Sequence, residues 1–148
     1  MNMDAAYDQA SRRARMRIVI RDTRGKVKLG AMTRIVNGKC PMHAEMNAVL
    51  FGVGIVRGRG FEEVEVESDS ALVVQEINKA GVSFWEWAAL TREVVSLAAK
   101  FKTCRFSNVR RFANSLAHSI TGVECPEGEI IVSEHLLSFI DNVDAVLD

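Results

Sequence analysis

Asp4, Glu45 and Asp69 are three of the chain's 19 acids, and their spacing alone does not set them apart. Carboxylate oxygens are hard donors, the kind of ligand that Mg2+ prefers. Hydrolysis of a phosphodiester with two metal ions needs several such groups converging, with the cations held about 4 Å apart. One ion orients and deprotonates the attacking water, and the other stabilises the leaving oxygen. Such ligands work best on helices and strands, where neighbouring packing fixes them. Taken singly, each acid also has a plainer role. Asp4 reads as a solvated charge, Glu45 as a first-turn acid complementing a helix dipole, and Asp69 as a helix-start residue beside Ser70.

A zinc chemistry starts from the same region. His43-Ala44-Glu45 spells the H-x-E of zinc-dependent nucleoside deaminases. That chemistry also needs P-C-x-x-C, whereas the chain offers Cys125-Pro126 in the reverse order, and Cys104 and Cys125 stand 21 residues apart. A structural zinc from Cys40, His43 and another cysteine is the other zinc alternative. Both rank far below the carboxylates.

The elements that would position these acids follow from pattern. The run 16–22 reads as a buried strand ended by Thr23-Arg24-Gly25, and 26–36 alternates apolar Val27, Leu29 and Ala31 with polar partners. Together they form an antiparallel hairpin. Asn37-Gly38 breaks the sheet and Pro41 can open a helix over 43–56, with Met46, Val49, Leu50 and Val53 at helical spacing; Gly58-Arg59-Gly60 ends it. A strand at 61–68 points Val64 and Val66 inward and Glu63, Glu65 and Glu67 outward. Ser70 can cap a helix through Lys79 with Leu72, Val73 and Ile77 on one face, stopped by Gly81. Ser83 begins another, where Phe84, Trp87, Leu90, Val94 and Ala98 keep a three-four rhythm. A strand at 103–109, a short helix at 112–121 and a last amphipathic helix with Leu136, Ile140, Val143 and Leu147 complete the order β-β-β-α-β-α-α-β-α.

Composition bounds the rest. With 148 residues, 48% hydrophobic and 26% charged, the chain can bury one core. No run approaches the roughly 18 apolar residues of a membrane helix. The stretch MNMDAAYDQASRRAR has no apolar leader region, and Asp4 and Asp8 argue against a transit peptide. Three cysteines without paired spacing suit reduced thiols in an intracellular protein, nuclear or cytoplasmic. The zero net charge hides an asymmetry. Residues 1–60 carry twelve Lys/Arg against four Asp/Glu, whereas 122–148 carry seven acids and no Lys or Arg. Such a split suits a basic face for a polyanion and an acidic tail, or simply two solvated ends.

Five strings in order, NMDAAYD, VIRDTRG, HAEMNAVLFG, VEVESDS and RFANSLAHSI, resemble the plant retroelement-type ribonuclease H-like domain over residues 2 to about 121. The resemblance implies an α/β fold with a mixed five-stranded sheet, an antiparallel first hairpin, flanking helices and a C-terminal helix. It divides the chain into a domain at 1–121 and an acidic extension at 122–148 packed on it. It implies cleavage of RNA in RNA–DNA hybrids with Mg2+ or Mn2+. Asp4 would lie on the first strand and bridge both metals, Glu45 would open the first helix, and Asp69 would end the fourth strand.

The fourth position departs from the family pattern. An acid is expected in N-x-x-A-D-x-L-A, and here Asn114-Ser115-Leu116-Ala117-His118 puts His118 in that slot. An imidazole is a poor Mg2+ ligand but can ligate a transition metal, so Mn2+ gains ground. Arg15 and Arg17 replace the family's small residues and glycines before VIRD; they either add phosphate contacts or, the favoured reading, face solvent. The short lead before Asp4 is expected to loosen that residue and suggests a fragment or a short stand-alone gene product. Arg12, Arg13, Arg57, Arg59, Arg110 and Arg111 are the candidate phosphate contacts, while Trp85 and Trp87 read as packing residues. The alternative function is a non-catalytic ribonuclease H-like module that holds nucleic acid or protein, or a retroelement relic.

Overall fold

Three consecutive strands form a meander because turn chemistry reverses the chain twice. In the computed structural model, which describes residues 1–79, 86–114 and 131–133, these are β1 (Asn2–Asp8), β2 (Arg13–Arg21) and β3 (Val27–Ile35). At the first reversal, the Asp8 carboxylate accepts the Ala10 N–H at 2.9 Å and the Ser11 hydroxyl at 2.7 Å, and Arg12 takes φ 55. At the second, Asp22 accepts the N–H groups of Arg24 and Lys26, and Gly25 supplies φ 82. The sequence places the start of the second strand at residue 16; pairing with β1 extends it back to Arg13.

The long helix α1 (Pro41–Gly58) opens with proline at its first position, where a missing N–H costs nothing. It closes in a Schellman arrangement: Gly60 adopts φ 79, its N–H reaches Arg57, and the Phe61 N–H reaches Val56. Met46, Ala48, Val49, Val53 and Val56 of α1 bury against Met3, Met16, Ile18, Ile20, Leu29 and Ala31 on one face of the meander. Gly52 lets this packing close, since a Cβ there would meet the Met1 side chain at 2.7 Å.

After α1 come β4 (Glu63–Ser68), α2 (Ala71–Asn78), α3 (Ala88–Ala98), β5 (Thr103–Asn108) and a short 3-10 helix, Arg111–Asn114. A sixth strand, β6 (Ile131–Ser133), follows. The sheet order is β5-β4-β1-β2-β3-β6, with β1, β4 and β5 parallel and the remaining pairs antiparallel. The five expected strands are all present. Three residues between Cys125-Pro126 and the expected last helix add the sixth against β3, a run too short to show any period. The residues assigned to that helix, and most of the helix expected at 112–121, lie outside the described residues.

Two details of α2 differ from the sequence reading, and α3 begins at Ala88 after a turn at 86–87 where the sequence reading starts a helix at Ser83. Ser70 occupies the N-cap of α2, but its side chain makes no capping bond. Leu72, assigned to the buried face, is 64% exposed, while Val73, Val74 and Ile77 are buried. Leu72 stands in the first turn, and the inward stripe begins one residue later.

A clasp joins the β1–β2 hairpin to the start of α1. The Gly38 N–H donates to the Arg12 carbonyl at 2.8 Å, and the Gly38 carbonyl accepts from the Tyr7 hydroxyl and Arg12 Nε. A Cβ on Gly38 would lie 2.8 Å from the Tyr7 ring and 3.3 Å from the Arg12 carbonyl oxygen. Gly38→Ala should therefore lower the unfolding free energy by about 1–3 kcal/mol, read from urea unfolding. An unchanged midpoint would show that the Tyr7 ring yields freely.

Candidate metal centre

The site grows from a mismatch in strand length. β1 pairs in parallel with β4 at Asn2 and Glu67, and the Glu67 N–H donates to the Met1 carbonyl at 2.8 Å. β4 stops at Ser68, whereas β1 continues to Asp8. Side chains serve the backbone groups of β1 beyond that point. Asn114 Nδ2 donates to the Met3 carbonyl at 2.6 Å, and the Ala5 N–H donates to the Glu45 carboxylate. Buried backbone groups need such partners. One edge of β1 thus draws in the first turn of α1 and the 3-10 helix on either side of Asp4.

Asp69 arrives by a separate route. Ser68 is held by Val109 N–H and Asn108 Nδ2, both donating to its carbonyl, and its hydroxyl accepts the Ser70 N–H. The next residue is thereby fixed beyond the strand end. One oxygen each from Asp4, Glu45 and Asp69 lies within 4.8 Å of the other two. Among the described residues, this is the one group of three ligand-type side chains that converges.

The electrostatics are those of crowded like charges. Burial first, then Asp4 and Asp69, raises the Glu45 carboxyl to about 8. Its Oε2 is buried and has no hydrogen-bond partner. Three converging carboxylates with an orphaned oxygen fit a hard divalent cation. Two arginines temper the repulsion. Arg17 reaches Asp4 at 3.5 Å with both side chains largely buried, and the exposed Arg111 lies 4.0 Å from Asp69.

Arg17 corrects the solvent-facing expectation: it is 4% exposed. The reason is register, which sets it directly opposite Asp4 on the neighbouring strand. Arg15 does face solvent. Asp4 is not loosened either; β1 is a seven-residue interior strand, and Asp4 is 8% exposed. His118 lies outside the described residues. Of the candidate phosphate contacts, Arg111 stands at the acids. Arg12 is used in the Gly38 clasp, and Arg13 sits at the hairpin. Arg110 is exposed, with its carbonyl accepting from Ala113. Arg57 and Arg59 occupy the far end of α1, about 18 Å or more along its axis from Glu45, and Arg57 lies over the Phe101 ring. Trp87 packs against the His43 ring at 5.9 Å, a structural contact as expected; Trp85 lies outside the described residues. Both His43 ring nitrogens are engaged, with the Lys39 N–H and with Asn47, which leaves the zinc alternative without support.

Sequence reasoning missed Asn114 as a strut, although it quoted the string that contains it. A buried amide whose acceptor lies 111 residues away leaves no local pattern.

Comparison with known proteins came to the same region. The profile of the family described as reverse transcriptase-like matches residues 2–121. Ribonuclease H1 from the halophilic archaeon Halobacterium salinarum superposes with a TM-score of 0.72 at 20% identity, covering 78% of this chain and 88% of that one. The N-terminal ribonuclease H domain of a Mycobacterium tuberculosis protein gives 0.69 at 21%, covering 78% and 84%. LC11 ribonuclease H1, solved with an RNA/DNA hybrid, gives 0.69 at 19%, covering 78% and 88%. Such likeness establishes a ribonuclease H-like fold. No curated protein sequence matches the chain.

Two outcomes follow for the metal-free protein. Glu45 holds a proton in the fold that the unfolded chain has released between pH 4.5 and about 8, so stability should fall as pH rises through that window. Urea midpoints in chelator should show this slope, and Glu45→Gln should flatten it. Arg17→Met removes one partner of a buried pair and should cost about 3–5 kcal/mol in chelator, with part recovered in Mn2+. An equal deficit with and without Mn2+ would mean that Arg17 does not balance the acids.

Proposed function

The chain belongs to the reverse transcriptase-like family, and from that premise we propose that it hydrolyses the RNA strand of RNA–DNA hybrids using divalent cations held by Asp4, Glu45 and Asp69. The observation that carries this reading is the convergence of the three carboxylates around the unpartnered Glu45 Oε2. The hybrid bound by LC11 ribonuclease H1, a structural relative, supports the substrate class. The order of the five sequence strings favours the plant retroelement-type branch. When bound, Mg2+ or Mn2+ supplies Lewis acidity to the scissile phosphate and the attacking water.

The chain's own residues do the rest. Asp4 is held on an interior strand, paired on both sides. Glu45 is neutral at pH 7 before a cation arrives, so binding requires it to release its proton. Asp69 is set by the bonds that fix Ser68. Arg17 holds Asp4 in place but also neutralises part of its pull on a cation. His118 would supply the fourth ligand position, which favours Mn2+ over Mg2+. We take 1–121 as the catalytic domain and 122–148 as an extension whose packing on that domain is supported by the pairing of β6 with β3. The free thiols of Cys40 and Cys104 suit an intracellular, nuclear or cytoplasmic setting.

A second reading, a hybrid-binding module that does not cut, is favoured by the Arg17–Asp4 pair, which fills part of the site with a protein cation. Cleavage of a labelled RNA–DNA hybrid in Mg2+ and in Mn2+ decides between them. The wild type should cut, faster in Mn2+. Asp69→Asn should lose about 100-fold or more, since even outer-shell partners of metal ligands are worth about 10–100-fold. His118→Asp should raise activity in Mg2+. Silence from the wild type with cutting by His118→Asp would mark a site disabled at that position, and silence from all three would favour the binding module.

A further inference from the structure

Apolar side chains on a protein surface are ordinary when they are scattered. The two most exposed here are not. Among the described residues, the large apolar side chains with the greatest exposure are Phe112 at 81% and Leu72 at 64%. They lie on separate elements, and each element is tied to Asp69. Leu72 stands in the first turn of α2, three residues after that acid and therefore within about 11 Å of it along the chain. Phe112 follows Arg111, whose guanidinium reaches the Asp69 carboxylate at 4.0 Å. Nor is Phe112 carried on a loose segment. Its 3-10 turn is closed by the Ala113 N–H on the Arg110 carbonyl at 2.9 Å. Asn114, 2% exposed, pins the same turn to β1 through the Met3 carbonyl. A phenyl ring on a turn anchored next to Asp4 is thus held out to solvent beside the carboxylate centre.

The chemistry of the pair selects what it meets. Aromatic rings hold nucleotides through faces that every sequence presents. Minor-groove binders likewise set Phe and Leu side chains against base steps. Contacts of this kind carry no sequence code, which suits a site that acts on hybrids by shape. They also differ in kind from the charge contact of the neighbouring Arg111, whose side chain is 84% exposed. We propose that Phe112 and Leu72 form an apolar rim on the Asp69 side of the carboxylate centre, which packs against the sugar and base surface of the nucleic-acid substrate and so retains the strand beside the acids. The proposal rests on the hybrid-processing reading above.

Binding is tested apart from cutting with the full-length chain carrying Asp69→Asn, in chelator, by fluorescence anisotropy of a labelled RNA–DNA hybrid across a salt titration. Phe112→Ala should weaken binding at least about fivefold, the low end for aromatic contacts with bases, and Leu72→Ala by a smaller factor. Neither should alter the slope of log affinity against log salt, because no phosphate contact is lost. Phe112→Trp should restore the affinity, and Phe61→Ala, at the far end of α1 from Glu45, should change nothing. With Asp69 intact, Phe112→Ala should raise KM for hybrid cleavage and leave kcat near that of the wild type. So exposed a ring contributes little to folding, and an unchanged urea midpoint would assign the lost affinity to the substrate contact. Equal affinities for Phe112→Ala and its parent overturn the rim. A fallen salt slope also overturns it and assigns the effect to Arg111. Untouched hybrid affinity, with a dimer of the chain that Phe112→Ala dissolves, overturns it too and marks a protein contact. Cutting by the wild type that neither variant affects sinks the rim alone. Hybrid binding that needs Phe112, without cutting by the wild type, supports the rim and sinks the nuclease reading; absence of any hybrid binding sinks both.

Discussion

Everything at the carboxylate centre depends on one backbone constraint: β1 outruns its parallel neighbour β4 inside the sheet. A strand interior cannot leave its N–H and C=O groups dry, so side chains must serve where β4 ends. Asn114 takes the Met3 carbonyl and Glu45 takes the Ala5 N–H, one on each side of Asp4. The bonds that complete the sheet are thus the same bonds that bring α1 and the 3-10 helix to the acid. Stability and site geometry share these contacts, and neither can be altered alone.

Charge sets the second level of organisation. Three acids at this spacing are tolerable only because Glu45 keeps its proton and Arg17 lies against Asp4. The protein therefore holds two substitutes for a divalent cation, a proton and a guanidinium. A cation must displace the first and compete with the second. Affinity for metal is consequently a property of β2 as much as of the ligands themselves.

Much of this was legible in the residues, for reasons that differ by element. α1 was readable because Met46, Val49 and Val53 repeat at helical spacing between a proline and a glycine stop. The β2–β3 hairpin was readable from alternation and from Thr23-Arg24-Gly25. The acids were found through the order of the five strings, since NMDAAYD carries no clean alternation; Asn2 and Asp4 are buried polar residues on an interior strand. Arg17 was misjudged because alternation assigns a residue to a face but not to a partner. Arg15 and Arg17 share a face, yet the carboxylate opposite one of them decides its burial. Asn114 could not be read because its acceptor lies 111 residues away, and the three residues of β6 are fewer than any periodicity needs.

The pairing of β6 with β3 also bears on how the molecule avoids its own copies. An uncovered strand edge offers a row of unpaired amides on which another chain can template. Along Gly30–Met32 the β3 edge is occupied by β6. At the opposite end of the sheet β5 is only six residues long, carries the exposed Arg105, and has its Phe106 carbonyl engaged by Asn78 from α2. Both margins are thereby blunted, one by a borrowed strand and the other by brevity, charge and a helix side chain. Loss of the β6 pairing would leave the β3 edge open as a seed for edge-to-edge aggregation without touching a single carboxylate.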